Sequence, residues 1–422
     1  MLSSLPKYLA SDSSMPMLDS LSLEKIQQSL ARFVPAGSLD SNPYDYRLNS
    51  MRYSPQSKLV LGLVSHRRQR PVAIRVFPED VATRRYQKAY VAGQRPVFLL
   101  EDVGAVAWIF PGERKLDLRV VEDKDLLHGL LKRDRGFHPK HTELVHYVPE
   151  HTYTLQATGI GDERRNVTEF VKVYYDDSGV HVANVASELA MQSVPGIEVA
   201  VDCTYWPDHR MTAQASLARD TSRRVTDAEA AYALAVFHGM SSASARTKKD
   251  DAGKKLDETV TLTSRFFPSA AGSLRELCDR LGEKCLPYRT DGHVLIHGDA
   301  HLGNFFPLQN GDIGIIDLDS VQIGRPEKDL AAYFAFSLWL QLRSNSLTEH
   351  SLGRLPSFVA VYNRYAKMPV TLCDVYLHLA AALITERIRR GITRGKLGAG
   401  NAISEFLRLA WACFIRSEEL HA

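Results

Sequence analysis

Four side chains between residues 297 and 317 have types and spacing suited to chemistry on a phosphoryl group. His297, Asp299 and Asn304 lie in His-Val-Leu-Ile-His-Gly-Asp-Ala-His-Leu-Gly-Asn, and Asp317 lies in the later Ile-Ile-Asp-Leu-Asp. The apolar run Val294 to Ile296 predicts a strand that delivers His297 and Asp299 into a loop ending at Asn304. Phe305 to Leu308 predicts a second strand. Asn310-Gly311 between apolar runs is a two-residue hairpin signal. A regular hairpin on that turn sets Asn304 directly opposite Asp317, with Cβ atoms about 5 Å apart. One carboxamide oxygen and one carboxylate would then converge on one cation.

Moving a γ-phosphoryl group requires Mg²⁺ bridging phosphate oxygens and a carboxylate to take the attacking hydroxyl's proton. Asp299 suits that base. Mg²⁺ accepts oxygen ligands and keeps several waters, so one amide oxygen, one carboxylate and the nucleotide phosphates suffice. His297 suits hydrogen bonding that holds the loop, and Asp319 meets either a second metal or solvent. A rival reading takes His297, Asp299 and His301, with His293 as a fourth ligand, as the Zn²⁺ or Mn²⁺ site of a hydrolase. It leaves Asn304, the hairpin and Asp317 without a task. A plain surface strand-turn-strand is the third reading.

HGDAHLGNFF followed by IGIIDLDSVQIGRPEKDLA resembles the aminoglycoside phosphotransferase and choline kinase family, whose pattern is H-G-D-x-x-x-x-N, an apolar strand with I-D, and a D-L-A helix start. The resemblance implies an α+β, protein-kinase-like fold with a β-rich amino-terminal lobe and a helical carboxy-terminal lobe. It also implies ATP and Mg²⁺, Asp299 as catalytic base, Asn304 and Asp317 as metal ligands, and Asp329 as a structural carboxylate. Asp329 precedes the apolar run Leu330 to Leu342, where a carboxylate suits a helix N-terminus and can also bind backbone N–H groups of the loop. No D-F-G or A-P-E string follows, which argues against a protein substrate. The layout also resembles maltokinase-like relatives, which carry a cap module ahead of the nucleotide lobe, and this tilts the expected acceptor toward a sugar.

The elements that must position this centre are legible in part. Lys172 lies in the alternating stretch Glu169 to Tyr175, with Val171 and Val173 on the opposite face. It is the candidate phosphate-pairing lysine, and Glu188, in the helical Val182 to Gln192, is the candidate to hold it. No G-x-G-x-x-G string is present. The turn Pro149-Glu150-His151-Thr152 takes its place, leaving phosphate contacts to backbone N–H groups and the Thr152 hydroxyl. Ile197 to Tyr205 and Met211 to Leu217 are expected to complete the sheet, with 217–221 as the hinge. Thr226-Asp-Ala-Glu229 is a capping box opening a helix. Further helices are expected near 22–33, 251–266, 272–283, 329–343, 355–366, 371–392 and 402–418, and the polar tract 241–255 is expected at the surface.

At 422 residues the chain is long enough for two or three domains. We expect an extension at 1–45, an accessory β-rich module at 46–140, a nucleotide lobe at 141–221 and a helical lobe at 222–422. Tyr53-Ser-Pro with Ala-Ile-Arg75-Val-Phe is echoed by Tyr147-Val-Pro with Phe-Val-Lys172-Val-Tyr, which suggests a duplicated β-module. A net charge of +3 without a long basic run argues against nucleic acid. Five cysteines lack C-x-x-C spacing, so neither a disulfide framework nor a zinc site is suggested. No secretory or membrane-spanning pattern is evident, so a cytoplasmic location and no membrane partner are expected. The expected partner is a small molecule bearing a hydroxyl, namely a sugar, amino sugar or aminoglycoside. Asp374 and Glu386 are candidates to greet a cationic one. A catalytically silent nucleotide-binding protein on the same scaffold is the competing class.

Overall fold

A computed structural model describes residues 5–67, 69–78, 80–161, 165–247, 251–285, 292–397 and 401–421. The chain is α+β, with a β-rich amino-terminal part and a helical carboxy-terminal part, and forms two compact units. The first comprises Met1–Val180, Cys203–Ser216 and Thr393–Lys396; the second comprises His181–Asp202, Leu217–Ile392 and Leu397–Ala422. Among the described residues, no helix is long and apolar enough to cross a membrane.

Two five-stranded antiparallel sheets build the first unit. In one, β1 (Arg47–Ser54), β2 (Lys58–Val64), β3 (Val72–Val76), β4 (Val97–Leu100) and β5 (Ala105–Ile109) lie in the order β1-β2-β3-β5-β4. The other uses β6 (Phe137–Val148), β7 (Thr152–Gly161), β8 (Asn166–Tyr174), β10 (Cys203–Trp206) and β11 (Met211–Ala215), in the order β6-β7-β8-β11-β10. The two orders are the same, and in each a helix follows the third strand (Val81–Val91, Ser178–Ala190). The expected echo is thus a repeated topology. It extends to side chains, since Arg75 lies 4.9 Å from the Phe77 ring and Lys172 5.5 Å from that of Tyr174. One apolar core including Trp108, Phe137, Tyr147, Val171 and Met211 joins the two sheets. The second sheet begins at Phe137, ahead of the expected boundary at 141.

In the second unit β9 (Ile197–Val199) pairs in parallel with β15 (Ile313–Ile315), which in turn pairs with β14 (Phe305–Pro307). The expected single strand Ile197 to Tyr205 is therefore two. Its first half belongs to the hairpin sheet, and only β10 joins the lobe. The two-residue β12 (Arg246–Thr247), β13 (Val294–Ile296) and β16 (Gln322–Gly324) form a fourth sheet. The expected helices are present at Asp227–His238, Ala252–Phe266, Pro268–Cys285, Pro326–Arg343, Leu355–Tyr365 and Ala402–His421. The Thr226 and Glu229 capping box is formed. The stretch 371–392 is interrupted: an α-helix Leu372–Ala382 passes into a π-helical segment Leu383–Arg389 before Arg390–Thr393 resumes.

A buried carboxylate in the first unit revises one expectation. Glu150, at φ 61 in the β6–β7 turn, receives Arg114 Nε at 2.6 Å and Arg75 Nη1 at 3.1 Å, with Lys58 Nζ at 3.7 Å. Its own N–H donates to Glu113 Oε1 at 3.0 Å, and the His151 N–H donates to Val148 O at 3.0 Å. These two amides are therefore already taken up and do not offer the phosphate cradle expected of the turn. Thr152 stands half-buried at the start of β7, opposite Tyr174. Burial alone would raise the Glu150 pKa, but the Arg114 hydrogen bond and the fields of Arg75, Arg114 and Lys58 hold it below the usual value. A folded pKa below the unfolded one gives stability that is present above the unfolded value of 4.5 and lost as pH falls through the folded value. Glu150→Gln should cost roughly 3 kcal/mol at neutral pH, because it leaves two guanidinium groups without their charge partner. Denaturant midpoints of both proteins at pH 7 and pH 4 check this, the difference being smaller at pH 4.

Candidate active site

The loop after β13 is held by one buried carboxylate. Asp329, in the first turn of Pro326–Arg343, accepts the His297 N–H at 2.5 Å through Oδ2 and the Gly298 N–H at 2.9 Å through Oδ1. His238 Nε2 lies 3.1 Å from Oδ2, and His238 Nδ1 lies 2.9 Å from the Tyr362 hydroxyl. Burial would raise the Asp329 pKa, yet the His238 hydrogen bond and the neighbouring imidazoles and amide hold it low. Asp329 thus has the loop-binding place expected of it. Gly298 sits at φ 77, and a Cβ there would lie 2.2 Å from Ser320 O, so the turn admits only glycine. His297 is fully buried. Its Nε2 donates to Ile316 O at 2.8 Å and its Nδ1 faces the Asp299 N–H at 3.4 Å, which ties the loop to the hairpin as expected.

The hairpin register differs by one residue from expectation. Phe305 pairs with Ile315 and Pro307 with Ile313, while the Leu308 N–H meets Asp312 O. The loop is therefore three residues, Gln309-Asn310-Gly311, with Gly311 at φ 93. Asn304 consequently lies opposite Ile316, whose N–H donates to Asn304 O at 3.1 Å, and not opposite Asp317. Asp317 follows at φ 63 and ψ 67, a left-handed turn that breaks the strand alternation. Its carboxylate lies close enough to His301 to act on that imidazole. The Asn304 Nδ2 donates to Asp299 O at 3.0 Å, which turns its Oδ1 away from the loop carbonyl.

Asp299 is the partly exposed acid of the loop. Its Oδ1 lies 3.6 Å from Arg390 Nη1 and its Oδ2 3.8 Å from His301 Nε2. His301 accepts the Gly303 N–H on Nδ1 at 3.0 Å and stacks on Phe336 at 4.8 Å. Burial lowers its pKa, which favours the neutral ring. With both His297 nitrogens engaged, the H-x-D-x-H metal reading loses His297 as a ligand. Among the described residues no group of three or more His, Cys, Asp or Glu side chains is placed to hold a metal. Beside the loop opens a cavity of about 400 Å³, lined by Asp299, His301, Lys255, Lys328, Arg387 and Arg390 among others. Its size suits a small ligand.

Residues 203–365 match the phosphotransferase enzyme family. The matched stretch holds the whole loop, both hairpin strands and Asp329. No curated protein matches the chain. Among solved structures it is similar to an amicoumacin kinase in complex with AMP-PNP, Ca²⁺ and Ami (15% identity, 71% of this chain and 96% of that one, TM-score 0.48). It is also similar to the spectinomycin phosphotransferase APH(9)-Ia (16%, 68% and 98%, 0.47) and the choline kinase LicA from Streptococcus pneumoniae (12%, 70% and 99%, 0.44).

Outside the loop of this phosphotransferase-like stretch, Lys172 lies mid-strand, between Thr154 of β7 and Thr212 of β11. Glu188 accepts hydrogen bonds from Ser242 Oγ and Ser244 Oγ, each at 2.6 Å, and from the Ser244 N–H at 3.1 Å. These bonds push its pKa down to about 2 and give it an anchoring task within the second unit. Asp374 caps its own helix through Thr371, and Glu386 lies 2.5 Å from Arg390, so both acids expected to meet a cation already have partners. The tract 241–255, expected at the surface, supplies Asp251 and Lys255 to the cavity wall; its residues 248–250 lie outside the described ones. Sequence reasoning missed Arg387 and Arg390. The i,i+4 pair Glu386 and Arg390 was the available signal.

Asp329→Asn should destabilise the protein by about 2–3 kcal/mol, since a carboxamide cannot receive both loop amides and His238 together. Hydrogen exchange should show the His297 and Gly298 amides losing protection by a larger factor than the amides of β6 and β7.

Proposed function

We propose that the chain is an ATP-dependent kinase that transfers the γ-phosphate to a hydroxyl of a small molecule. The observation that carries this reading is the position of Asp299, a partly exposed carboxylate on a rigidly clamped loop that forms part of a ligand-sized cavity. In the proposed step Asp299 accepts the acceptor's hydroxyl proton. That oxygen bonds to the γ-phosphorus, the bond to the bridging β,γ-oxygen breaks, and ADP leaves. Asn304 and Asp317 supply only amide and carboxylate oxygens, a donor set that fits Mg²⁺ and not a soft metal. Bound there, Mg²⁺ would neutralise charge on the phosphates. Lys172 is proposed to pair with the nucleotide phosphates, with Thr152 as a hydroxyl contact, while Glu188 keeps its bonds to Ser242 and Ser244 in place of the holding role expected of it. Arg390 keeps the Asp299 carboxylate oriented and His301 closes the wall beside it. A sugar, amino sugar or aminoglycoside is the acceptor range to test, in a cytoplasmic setting.

Asp299→Ala should retain near-normal Mg·ATP affinity while turnover falls by about 10² to 10⁴. Asp317→Asn should lose both. Calorimetric titration of nucleotide beside steady-state turnover separates them, and an Asp299 variant that binds ATP poorly yet turns over normally at saturation would reassign Asp299 to the nucleotide. His301→Ala should keep ATP-dependent activity within about tenfold, because the ring packs against the site without holding a metal. Metal analysis of that variant provides the check: stoichiometric Zn²⁺ or Mn²⁺ in the native protein, lost on substitution, would favour the hydrolase.

A further inference from the structure

The cavity beside Asp299 holds a cation that no carboxylate contacts directly, although Glu386 and Asp299 act on it at longer range. Arg387 makes no hydrogen bond and no ion pair among the described residues, and its Nε is buried without an acceptor. Its guanidinium lies 5.3 Å from the Phe336 ring and 6.0 Å from that of Trp339. These rings hold its position without neutralising it. Burial presses its pKa down to about 10, with Arg390 adding to the effect, although Glu386 and Asp299 favour the charged form. Several other charges on the wall have direct partners: Lys255 lies 2.7 Å from Asp251, Arg390 lies 2.5 Å from Glu386, and Asp329 is taken by His238 and the loop amides. Arg387 also lies on the π-helical segment Leu383–Arg389, a rare form that occurs frequently at functional sites.

We infer that the acceptor carries an anionic group, a carboxylate or a phosphate, and that Arg387 receives it. This rests on the phosphotransferase reading of the same site. The wall includes Asp299 but neither Asn304 nor Asp317, so the cavity lies on the acceptor's side of the loop and not on the metal's. A polycation would meet Arg387 head-on and find Glu386 and Asp251 already paired. A planar guanidinium with unused donors suits a bidentate oxyanion. The acceptor class becomes a hydroxylated acid, such as a sugar acid or a sugar phosphate.

The test uses the whole chain and four probes: glucuronate, glucose 6-phosphate, glucose and glucosamine. Binding is measured by calorimetry without nucleotide, and phosphorylation is measured with Mg·ATP. At least one of the two anions should bind about ten- to a hundredfold more tightly than glucose, and which one does so distinguishes carboxylate from phosphate. Glucosamine should bind no better than glucose. Arg387→Gln should erase the anion preference while leaving Mg·ATP affinity unchanged; Arg387→Met, which keeps the stem over Phe336, serves if the first variant folds poorly. Equal binding of all four probes, tighter binding of glucosamine, or an Arg387 variant that weakens Mg·ATP as much as the anion would each overturn the inference. Failure of the native chain to bind Mg·ATP, with anion preference intact, would instead sink the kinase reading and leave the anion site standing.

Discussion

One buried carboxylate organises the loop that carries Asp299. Asp329 accepts the first two amides of the loop and keeps His238 beside it, at a position only 1% exposed. A charge in such a place is tolerable because both of its oxygens have donors. The loop inherits its shape from those donors. His297 can then tie itself to Ile316, Gly298 can turn against Ser320, and Asp299 emerges toward the cavity with its carbonyl fixed by Asn304. Removing the charge would loosen each of these together, since they share the same anchor.

The cavity wall is arranged by a different means. Phe336 carries His301 on one contact and Arg387 on another, so the neutral ring and the cation are positioned by the same aromatic side chain. Arg390 reaches Asp299 from the residue just beyond the segment that carries Arg387. Asp299 and Arg387 are therefore positioned by contacts with residues of Pro326–Arg343 and of the stretch 383–390, all within one compact unit.

Much of this is legible in the sequence where the signals are local. The Thr226 capping box and the approximate places of the helices follow from short spacings that act on neighbouring backbone groups, and the place of Asp329 is the one that the resemblance implied. The hairpin register does not, because Asn-Gly serves both a two-residue turn and a three-residue loop, and the choice depends on Leu308 pairing with Asp312. Glu150 reads as part of a phosphate-binding turn, since nothing local announces that Arg75 and Arg114 converge on it from 75 and 36 residues away. Ile197 to Tyr205 reads as one strand because a β pattern says nothing about which sheet receives it.

The π-helical turns at Leu383–Arg389 set the phase of the residues beyond them. An α-helix advances about 100° per residue, so one residue more or fewer in that stretch rotates every later side chain by about that angle. Arg390 would then leave Asp299, and the stretch would face a different wall. In this chain the length of a seven-residue segment is as much a part of the site as the identity of its residues. A homologue lacking one residue there would keep the loop and its clamp while presenting another side chain to the cavity, so the lining of the cavity can change by insertion or deletion with the Asp299 loop untouched.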